Sequence, residues 1–436
     1  MNVSAPTIVA SSRENHPRGS RNGHIVPQPS RVIIVTDYAW VVGGASKVAM
    51  LSAIALAHRG YDTYYFSAVG PVANELADAP LTVRCLGELE SLREPSRLTG
   101  ARKGLWNLKA RSALKRLLQN FSPRDTIVHF HQWTKALSPS VFSPVLDQGF
   151  RFVVTLHDYF TSCPNGGFLV YPESEICTRT PLSASCILCN CDPRNYAHKL
   201  WRVARQTIQN RLLIHSEGLN NVIYASDFSR RILAHHLPRT LRWYFVPNPI
   251  QVEQVSRVDV RRNREYVFVG RLSKEKGGVI FAEAAKQANV PAVFIGEGEQ
   301  RPTILAANAE AEITGWVTPA EVYARLARGR ALVFPSIGYE VQGLTVCEAA
   351  SMGVPSIVGE RTAAREHVSN GKNGLYAKTA SVDDLAEKIA MLEDDTLLER
   401  MSIAAYDGFW RCPPSTEEHV RHLETAYRAI FADAQL

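Results

Sequence analysis

Two glutamates, Glu340 and Glu348, stand eight positions apart in the segment ALVFPSIGYEVQGLTVCEAASMGVPSIVG. Glu340 follows a strand-like run, Gly343 permits close approach to the backbone, and LTVCEAASM predicts a helix whose N-terminus points at a ligand. Carboxylates accept paired hydrogen bonds from vicinal diols such as those of sugars. Two glutamates at this spacing are a common accident, whereas the surrounding strand, Pro-Ser loop and Gly-Val-Pro strand form a rarer pattern.

Two cations follow another apolar run, YVFVG. Arg271 comes directly after it, and Lys276 stands just before a Gly-Gly pair and a predicted helix. Cations at the ligand end of a sheet can bind a diphosphate and stabilise it as negative charge builds on a leaving group. The alternative is a solvated charge run, which is the preferred interpretation for Lys274 and Glu275.

A glycine pair, Gly43-Gly44, lies between the first predicted strand and a helix in AWVVGGASKVA. Such a turn brings free N–H groups and the positive end of a helix dipole toward an anion. The pair does not match G-x-G-x-x-G, so a dinucleotide site is disfavoured. By itself it is equally compatible with a simple tight turn.

His157, in TLHDYF, is the candidate catalytic histidine. Histidines at strand ends are more often satisfied core residues than reactive groups. Asp158 either orients His157 or caps the following turn. His129 and His131, which flank Phe130, are interpreted as structural.

Five of the eight cysteines fall within 29 positions. Four of them could form a tetrahedral zinc site that closes a long loop, or they could remain free thiols. A catalytic metal is not expected, since no D-x-D-like element occurs in a site-like loop. The candidate structural zinc ligands are Cys163, Cys177, Cys186 and Cys189, and the fifth cysteine is Cys191.

The elements that must position these residues form two series of strand-helix alternation, which predicts two doubly wound parallel sheets in an α/β fold. In such sheets ligands bind outside the carboxyl ends of the strands. The predicted strands are 31–38, 62–69, 126–131, 151–158, 221–226 and 243–248, then 266–271, 292–298, 312–316, 331–336, 355–360 and 374–379.

A length of 436 residues suits two domains. A Ser-, Pro- and Arg-rich lead is expected to be disordered, a segment without strand character is the expected linker, and the last amphipathic stretch, 416–431, is a predicted helix. The expected divisions are a lead at 1–29, a first domain at 30–250, a linker at 251–264, a second domain at 265–415 and a C-terminal helical segment at 416–436.

Composition fits a globular protein, with 45% hydrophobic and 21% charged residues. No apolar run is long enough for a membrane span, and the N-terminus lacks the pattern of a secretion signal. The expected location is the cytoplasm, with the inner face of the membrane as a second option. The net charge of +7 suits an anionic membrane face, a diphosphate or nucleic acid, or only a basic surface. Nucleic acid is disfavoured, because the basic residues are dispersed and not interleaved with aromatics.

The motifs FVGRLSKEKGG, FPSIGYE-x7-E, SMGVPSIVG and NGKNGLY occur in the order found in the family 4 GT-B glycosyltransferases. The first half agrees through VVGGASKVA, VHFH, TLHDYF, YASDFSRRIL and VPNPI. The resemblance covers residues 31–395. It implies two Rossmann-like domains that face each other across a cleft, with a C-terminal helix packed back on the first domain.

The resemblance also implies roles. Glu340 would bind donor sugar hydroxyls beside the reacting carbon, His157 would reach the transferred sugar, and Glu348 would hold the ribose diol. The remaining donor-binding residues would contact phosphates, sugar or base: Gly44, Arg271, Lys276, Val317 in the Gly315–Val317 turn, Gly343, Leu344 and Thr345. Cysteine clusters accompany the HDY-x3-CP motif in part of the family.

One departure from the family pattern is Val341-Gln342, where Gly-Phe is usual. It puts the identity of the donor in doubt more than the reaction. The implied activity is transfer of a hexose-type sugar from a nucleotide-sugar donor, with retention of configuration and without a catalytic metal. The implied acceptor is a saccharide or lipid-linked saccharide, as in polysaccharide or glycoconjugate synthesis, met through peripheral association with the membrane.

Three alternatives compete with this function. An epimerase or a phosphorylase of similar shape is disfavoured by the E-x7-E spacing and by the lack of a cofactor-lysine motif. A catalytically inactive sugar-nucleotide-binding protein of the same fold remains open.

Overall fold

The computed structural model describes residues 28–432, so residues 1–27 of the predicted lead lie outside the described residues. The first domain contains a seven-stranded parallel sheet in the order β3-β2-β1-β4-β5-β8-β9, and an antiparallel hairpin of β6 and β7 stands apart from it. The strands are β1 Arg31–Tyr38, β2 Asp62–Val69, β3 Thr82–Cys85, β4 Thr126–Phe130, β5 Arg151–Thr155, β6 Leu169–Val170, β7 Glu175–Ile176, β8 Asn221–Tyr224 and β9 Arg242–Phe245.

The second domain contains a six-stranded parallel sheet in the order β12-β11-β10-β13-β14-β15. Strands β10 and β13 are neighbours, so the loops that follow them leave the sheet side by side. The strands are β10 Glu265–Val269, β11 Ala292–Ile295, β12 Glu312–Ile313, β13 Gly329–Phe334, β14 Ser356–Gly359 and β15 Gly374–Ala377.

Helices alternate with the strands in both domains. They are α1 Gly44–His58, α2 Asn74–Ala77, α3 Arg97–Leu105, α4 Leu108–Leu118, α5 Phe142–Asp147, α6 Ala184–Leu188, α7 Tyr196–Asn210, α8 Asp227–Ala234, α9 Gly278–Gln287, α10 Arg301–Ala307, α11 Pro319–Leu326, α12 Leu344–Ser351, α13 Val382–Met391, α14 Asp395–Arg411 and α15 Thr416–Ala432. Within residues 28–432, none combines the length and apolar character needed to cross a bilayer.

The predicted strands agree with the observed ones where the strands are central and buried on both faces. Residues 32–35 of β1 are 0% exposed, and a continuous β-branched run is what a covered parallel strand requires. The predicted strands 31–38 and 62–69 match β1 and β2 in both bounds. The predicted strand 151–158 ends earlier, at Thr155, and β3 and the β6–β7 hairpin were not predicted.

Helix α15 packs on the first domain although it follows the second in sequence. Leu423 and Tyr427 are 0% exposed within a core that also contains Ile34 and Leu56. The Tyr427 hydroxyl lies 2.7 Å from His129 Nδ1. Helix α15 therefore stabilises the sheet of the first domain.

Two chain segments connect the domains, one after β9 and one before α15. The Ile250 N–H donates to the Pro414 carbonyl at 2.8 Å, so the two crossings are hydrogen-bonded to each other. Val260, inside the expected linker, is 0% exposed and packs in the second core. Only the earlier part of that segment is thus separate from both cores.

Candidate active site

A cavity of about 880 Å³ lies between the two domains. It is lined by loops that follow β5 in the first sheet and β10 and β13 in the second. Four of the predicted catalytic and donor-binding residues line it together: His157, Arg271, Lys276 and Glu340. The cavity stands at the carboxyl ends of the strands, where ligands bind in open α/β sheets.

Lys276 and Glu340 form an ion pair, with 2.6 Å between Nζ and Oε1. The Ser336 hydroxyl donates to the same Oε1 at 3.0 Å. Gly277 sets this arrangement: its φ is +72°, and a Cβ there would lie 2.3 Å from the Pro335 carbonyl oxygen. Only glycine lets the loop after β10 pack so closely on the loop after β13.

Arg271 lies at the start of the same loop, after β10. Its guanidinium donates to Glu275 Oε1 at 2.5 Å and to Ser273 Oγ at 3.2 Å, while 66% of the side chain remains exposed. The interpretation of Glu275 as a solvated charge is wrong. Its side chain is 15% exposed, and its carbonyl accepts the N–H groups of Ile337 and Gly338, so it joins the two loops.

Lys274, at the rim, is exposed, as expected of a solvated residue. Its Nζ donates to the Pro172 carbonyl of the first domain at 2.7 Å, across the cavity. The rim of the cavity is therefore bridged by a hydrogen bond between the domains.

Glu348 occupies a different environment from Glu340. It lies on α12, where Tyr323 OH donates to Oε1 at 3.3 Å and Lys47 Nζ of the first domain stands 3.6 Å away. Burial raises the pKa of the Glu348 carboxyl, and the Lys47 ammonium opposes that rise only in part. Glu348 thus contributes to a contact between the domains.

The N-termini of α1 and α12 face each other beside this contact. A Cβ on Gly44 would lie 3.4 Å from Leu344 Cδ1, in ordinary van der Waals contact, so the two N-termini approach each other closely. Gly343 precedes α12, and the Thr345 hydroxyl oxygen is buried without a partner among residues 28–432. Two helix N-termini and an unsatisfied hydroxyl are suited to an anionic or polyhydroxylated ligand.

Val317 is not part of the cavity lining. It packs against the second core after Gly315, whose φ is +75°. The intervening Trp316 exposes 80% of its surface. The turn therefore offers an aromatic ring to solvent next to the predicted base-contacting residue.

The departure at Val341-Gln342 contacts the first domain. The Val341 carbonyl accepts the Ser226 hydroxyl at 2.5 Å, and Val341 itself packs on the first core. Gln342 Oε1 is buried and unpartnered within the described part of the chain. The branched valine is accommodated by packing between the domains.

His157 is paired with a second histidine. Its Nε2 lies 2.8 Å from His131 Nδ1, and the two rings are stacked with centroids 5.0 Å apart. Burial, with a smaller contribution from His419, lowers the pKa of His157 to about 3, so the ring is neutral at physiological pH. His131, which was expected to be structural, is therefore the hydrogen-bond partner of the candidate catalytic histidine.

His129 does have a structural role, since its ring nitrogens contact Tyr427 OH and, at 2.6 Å, Thr155 Oγ1. Asp158 caps a turn and does not orient His157: its Oδ1 accepts the Phe160 N–H at 2.9 Å. Burial raises the pKa of Asp158 to about 6.

The cysteine cluster does not fit zinc. Within residues 28–432 no group of three or more His, Cys, Asp or Glu side chains is placed to hold a metal ion. The buried Lys199 ammonium lies 3.2 Å from Cys191 Sγ and 3.5 Å from Cys186 Sγ, where its charge would compete with a metal. The four predicted ligands, Cys163, Cys177, Cys186 and Cys189, therefore do not form a zinc site in this structure.

The matches to known families cover most of the chain. Residues 42–254 match the family model described as Glycosyltransferase Family 4, and residues 263–395 match the one described as Glycosyl transferases group 1.

Two curated relatives match a part of the chain. A GDP-mannose-dependent alpha-mannosyltransferase of Mycolicibacterium smegmatis is 29% identical over 170 residues, 37% of this chain and 45% of the relative. The D-rhamnosyltransferase WbpZ of Pseudomonas aeruginosa is 25% identical over 175 residues, 38% of this chain and 42% of the relative. Each alignment thus spans less than half of the relative's length.

Solved structures match nearly the whole chain. HepE of Anabaena in complex with UDP superposes with a TM-score of 0.63 at 15% identity, covering 92% of this chain and 100% of that one. Sucrose-phosphate synthase of Thermosynechococcus elongatus gives a TM-score of 0.64 at 17% identity, covering 93% and 100%. At these identities the likeness establishes a shared fold.

The His131–His157 pair predicts one tautomer. His131 Nε2 is buried without a partner among residues 28–432, and an unpaired lone pair is less costly there than an unpaired N–H. His131 should therefore carry its proton on Nδ1 and donate it to His157 Nε2, which leaves the His157 proton on Nδ1.

Nitrogen-15 NMR of the histidine side chains checks this assignment. We expect the Nδ1–H form of His157 in the wild type and in His131→Asn, whose amide can still donate, and a tautomer mixture in His131→Leu. The exposed His58→Asn is the control and should leave the signal unchanged. A wild-type His157 protonated on Nε2 would contradict the assignment.

Proposed function

Because the chain belongs to the GT-B glycosyltransferases and joins a Glycosyltransferase Family 4 domain to a Glycosyl transferases group 1 domain, we propose that it transfers a hexose-type sugar from a nucleotide-sugar donor to a saccharide or lipid-linked saccharide, with retention of configuration. The observation that carries the proposal is the assembly of His157, Arg271, Lys276 and Glu340 around one cavity between two parallel sheets. Neither domain holds this set alone.

Arg271 and Lys276 bind the donor diphosphate in this proposal. Both project from the loop after β10, and Arg271 keeps most of its guanidinium exposed to the cavity. Their positive charges stabilise the leaving nucleoside diphosphate as the bond to the sugar breaks, with the N-termini of α1 and α12 adding partial positive charge. These groups supply the electrostatic stabilisation that a catalytic cation would otherwise provide, so the proposed reaction is metal-independent.

Glu340 and His157 act on the transferred sugar. Glu340 Oε1 is already engaged by Lys276 and Ser336, which fixes the carboxylate while leaving Oε2 for a sugar hydroxyl. Positive charge develops at the sugar carbon in the transition state, and an adjacent carboxylate stabilises it. The neutral His157 supplies a hydrogen bond without adding a repelling charge.

Glu348 binds the ribose diol and couples that contact to the position of the domains. The Lys47 ammonium of the first domain stands 3.6 Å from the Glu348 carboxylate. A donor bound at Glu348 therefore lies next to a contact that draws the first domain onto the second, which would exclude water from the sugar.

The relatives indicate candidates for the base and the sugar of the donor. One curated relative is named as GDP-mannose-dependent, and the HepE structures contain UDP or UDP-glucose. GDP-mannose and UDP-glucose are accordingly the first donors to test. The net charge of +7 would favour an acceptor presented at an anionic membrane surface.

A nucleotide-sugar screen tests the proposed function. A donor at about 100 times its Kd should stabilise the protein by about 2.7 kcal/mol. Arg271→Ala or Lys276→Ala should each weaken donor use about ten- to a hundredfold, the equivalent of a charge-assisted hydrogen bond worth about 1.5–3 kcal/mol. Lys286→Ala, exposed on α9, is the matched control and should be unchanged.

The same assay decides the reaction course. Turnover should persist in EDTA, and proton NMR of the product from an α-linked donor should show an α-linkage. A β-linked product would contradict retention, and binding without turnover would favour an inactive sugar-nucleotide-binding protein.

The two glutamates should differ in their kinetic effects. Glu348→Gln should mainly raise the KM for the donor, because a ribose contact is equally strong in the ground state and the transition state. Glu340→Gln should mainly lower kcat, because charge develops at the neighbouring sugar carbon. Steady-state kinetics with varied donor measures both, and the same change in kcat and KM for the two variants would refute the division of roles.

A further inference from the structure

The first-domain wall of the cavity carries three cations, Lys135, Arg194 and Arg202, to which the proposed function gives no part in donor binding. The backbone at Lys135 is fixed by a buried carboxylate. Asp37 is 0% exposed and accepts the N–H groups of Lys135, Ala136 and Leu137, each at 2.9 Å. These hydrogen bonds therefore anchor the backbone of Lys135 to the end of β1.

Arg202, on α7, is fixed by a second buried carboxylate. Its Nε lies 3.1 Å from Asp192 Oδ2, and Nη1 donates to the Asn165 carbonyl at 3.2 Å. Asp192 has a fully buried side chain and is also bonded to His198 Nδ1 at 2.9 Å. With these contacts made, Nη2 of Arg202 has no recorded partner within residues 28–432.

Lys135 has no carboxylate at ion-pair distance among residues 28–432. Its ammonium has no hydrogen-bond or ion-pair partner in the described part of the chain, whereas Arg271 has Glu275 and Lys276 has Glu340. Lys135 is exposed to the cavity, yet desolvation at the wall lowers its pKa. The charges of Arg202, Arg205 and Arg271 lower it further, and that of Asp37 opposes them.

The remaining carboxylate near Lys135 forms no ion pair with it. Asp158 lines the same wall but lies beyond ion-pair distance, and burial raises its pKa to about 6. An unpaired ammonium beside other cations is unfavourable in a cleft, where charges interact more strongly than in bulk water. An anionic ligand would remove this cost.

Building on the proposed function, we propose that Lys135 and Arg202 form an anion subsite that binds a phosphate group carried by the acceptor. Two cations match the roughly two negative charges of a phosphate monoester, and a guanidinium edge suits its oxygens. The subsite belongs to the first domain, whereas Arg271 and Lys276, the two cations proposed for the donor diphosphate, belong to the second. A phosphate held there would orient the acceptor toward Glu340.

Calorimetric titration with inorganic phosphate tests the subsite. The Arg271→Ala/Lys276→Ala double variant, checked for folding by circular dichroism, removes the donor-phosphate cations and should still bind phosphate. Adding Lys135→Met should weaken that binding about tenfold or more, since a charge-assisted contact is lost. Lys135→Arg should restore it, and Lys115→Met, an exposed lysine of α4, is the control. Unchanged phosphate binding in the Lys135→Met background would overturn the proposal.

A second titration separates acceptor from donor. Nucleoside diphosphate binding to otherwise wild-type protein should be unaffected by Lys135→Met, whereas the KM for a phosphorylated saccharide acceptor should rise relative to its unphosphorylated counterpart. An equal loss of nucleoside diphosphate affinity would assign Lys135 to the donor and overturn the acceptor role. Failure of nucleotide-sugar turnover would overturn the proposed function, while the phosphate titration would still decide whether the subsite exists.

Discussion

The close packing of Gly277 on Pro335 is the constraint on which the rest of the site depends. Strands β10 and β13 are neighbours, and a glycine at φ +72° lets their loops meet without a clash. Lys276 immediately precedes this glycine, so its ammonium reaches Glu340 at 2.6 Å. The cation proposed to bind phosphate and the carboxylate proposed to bind sugar are thereby placed within one hydrogen bond of each other.

The first domain completes the arrangement through contacts that hold it against the second. The Tyr159 hydroxyl donates to the Glu340 carbonyl at 3.4 Å, and the Phe228 N–H donates to Glu366 Oε1 at 2.5 Å. These polar contacts accompany the packing of Tyr339 and Val341 on the first core, and they differ from the apolar packing of α15 on the first domain. Interfaces of that kind permit relative motion of domains, so donor access and closure are compatible with the same fold.

The fold was largely readable from the sequence because buried parallel strands leave continuous apolar runs, as in β1 and β2. The contacts between side chains were harder to predict from the sequence. The Tyr427–His129 contact joins residues 298 positions apart, and no local spacing encodes it. Glu275 was misjudged for the same reason, and the contact of His131 with His157 was not predicted, because both depend on how separate loops meet. The cysteine spacing allowed zinc or thiols, and zinc is disfavoured by the placement of the side chains within residues 28–432 and by the position of Lys199 near two sulfurs.

The most direct test of the account is a crystal structure with a bound nucleoside diphosphate. The account predicts phosphate oxygens within about 3 Å of Lys276 Nζ and of the Arg271 guanidinium, as charge-assisted hydrogen bonds require. It also predicts that the cavity beside Glu340 and His157 is left for the sugar. A diphosphate bound away from both cations, with the Lys276–Glu340 pair undisturbed and no phosphate contact to Arg271, would contradict it.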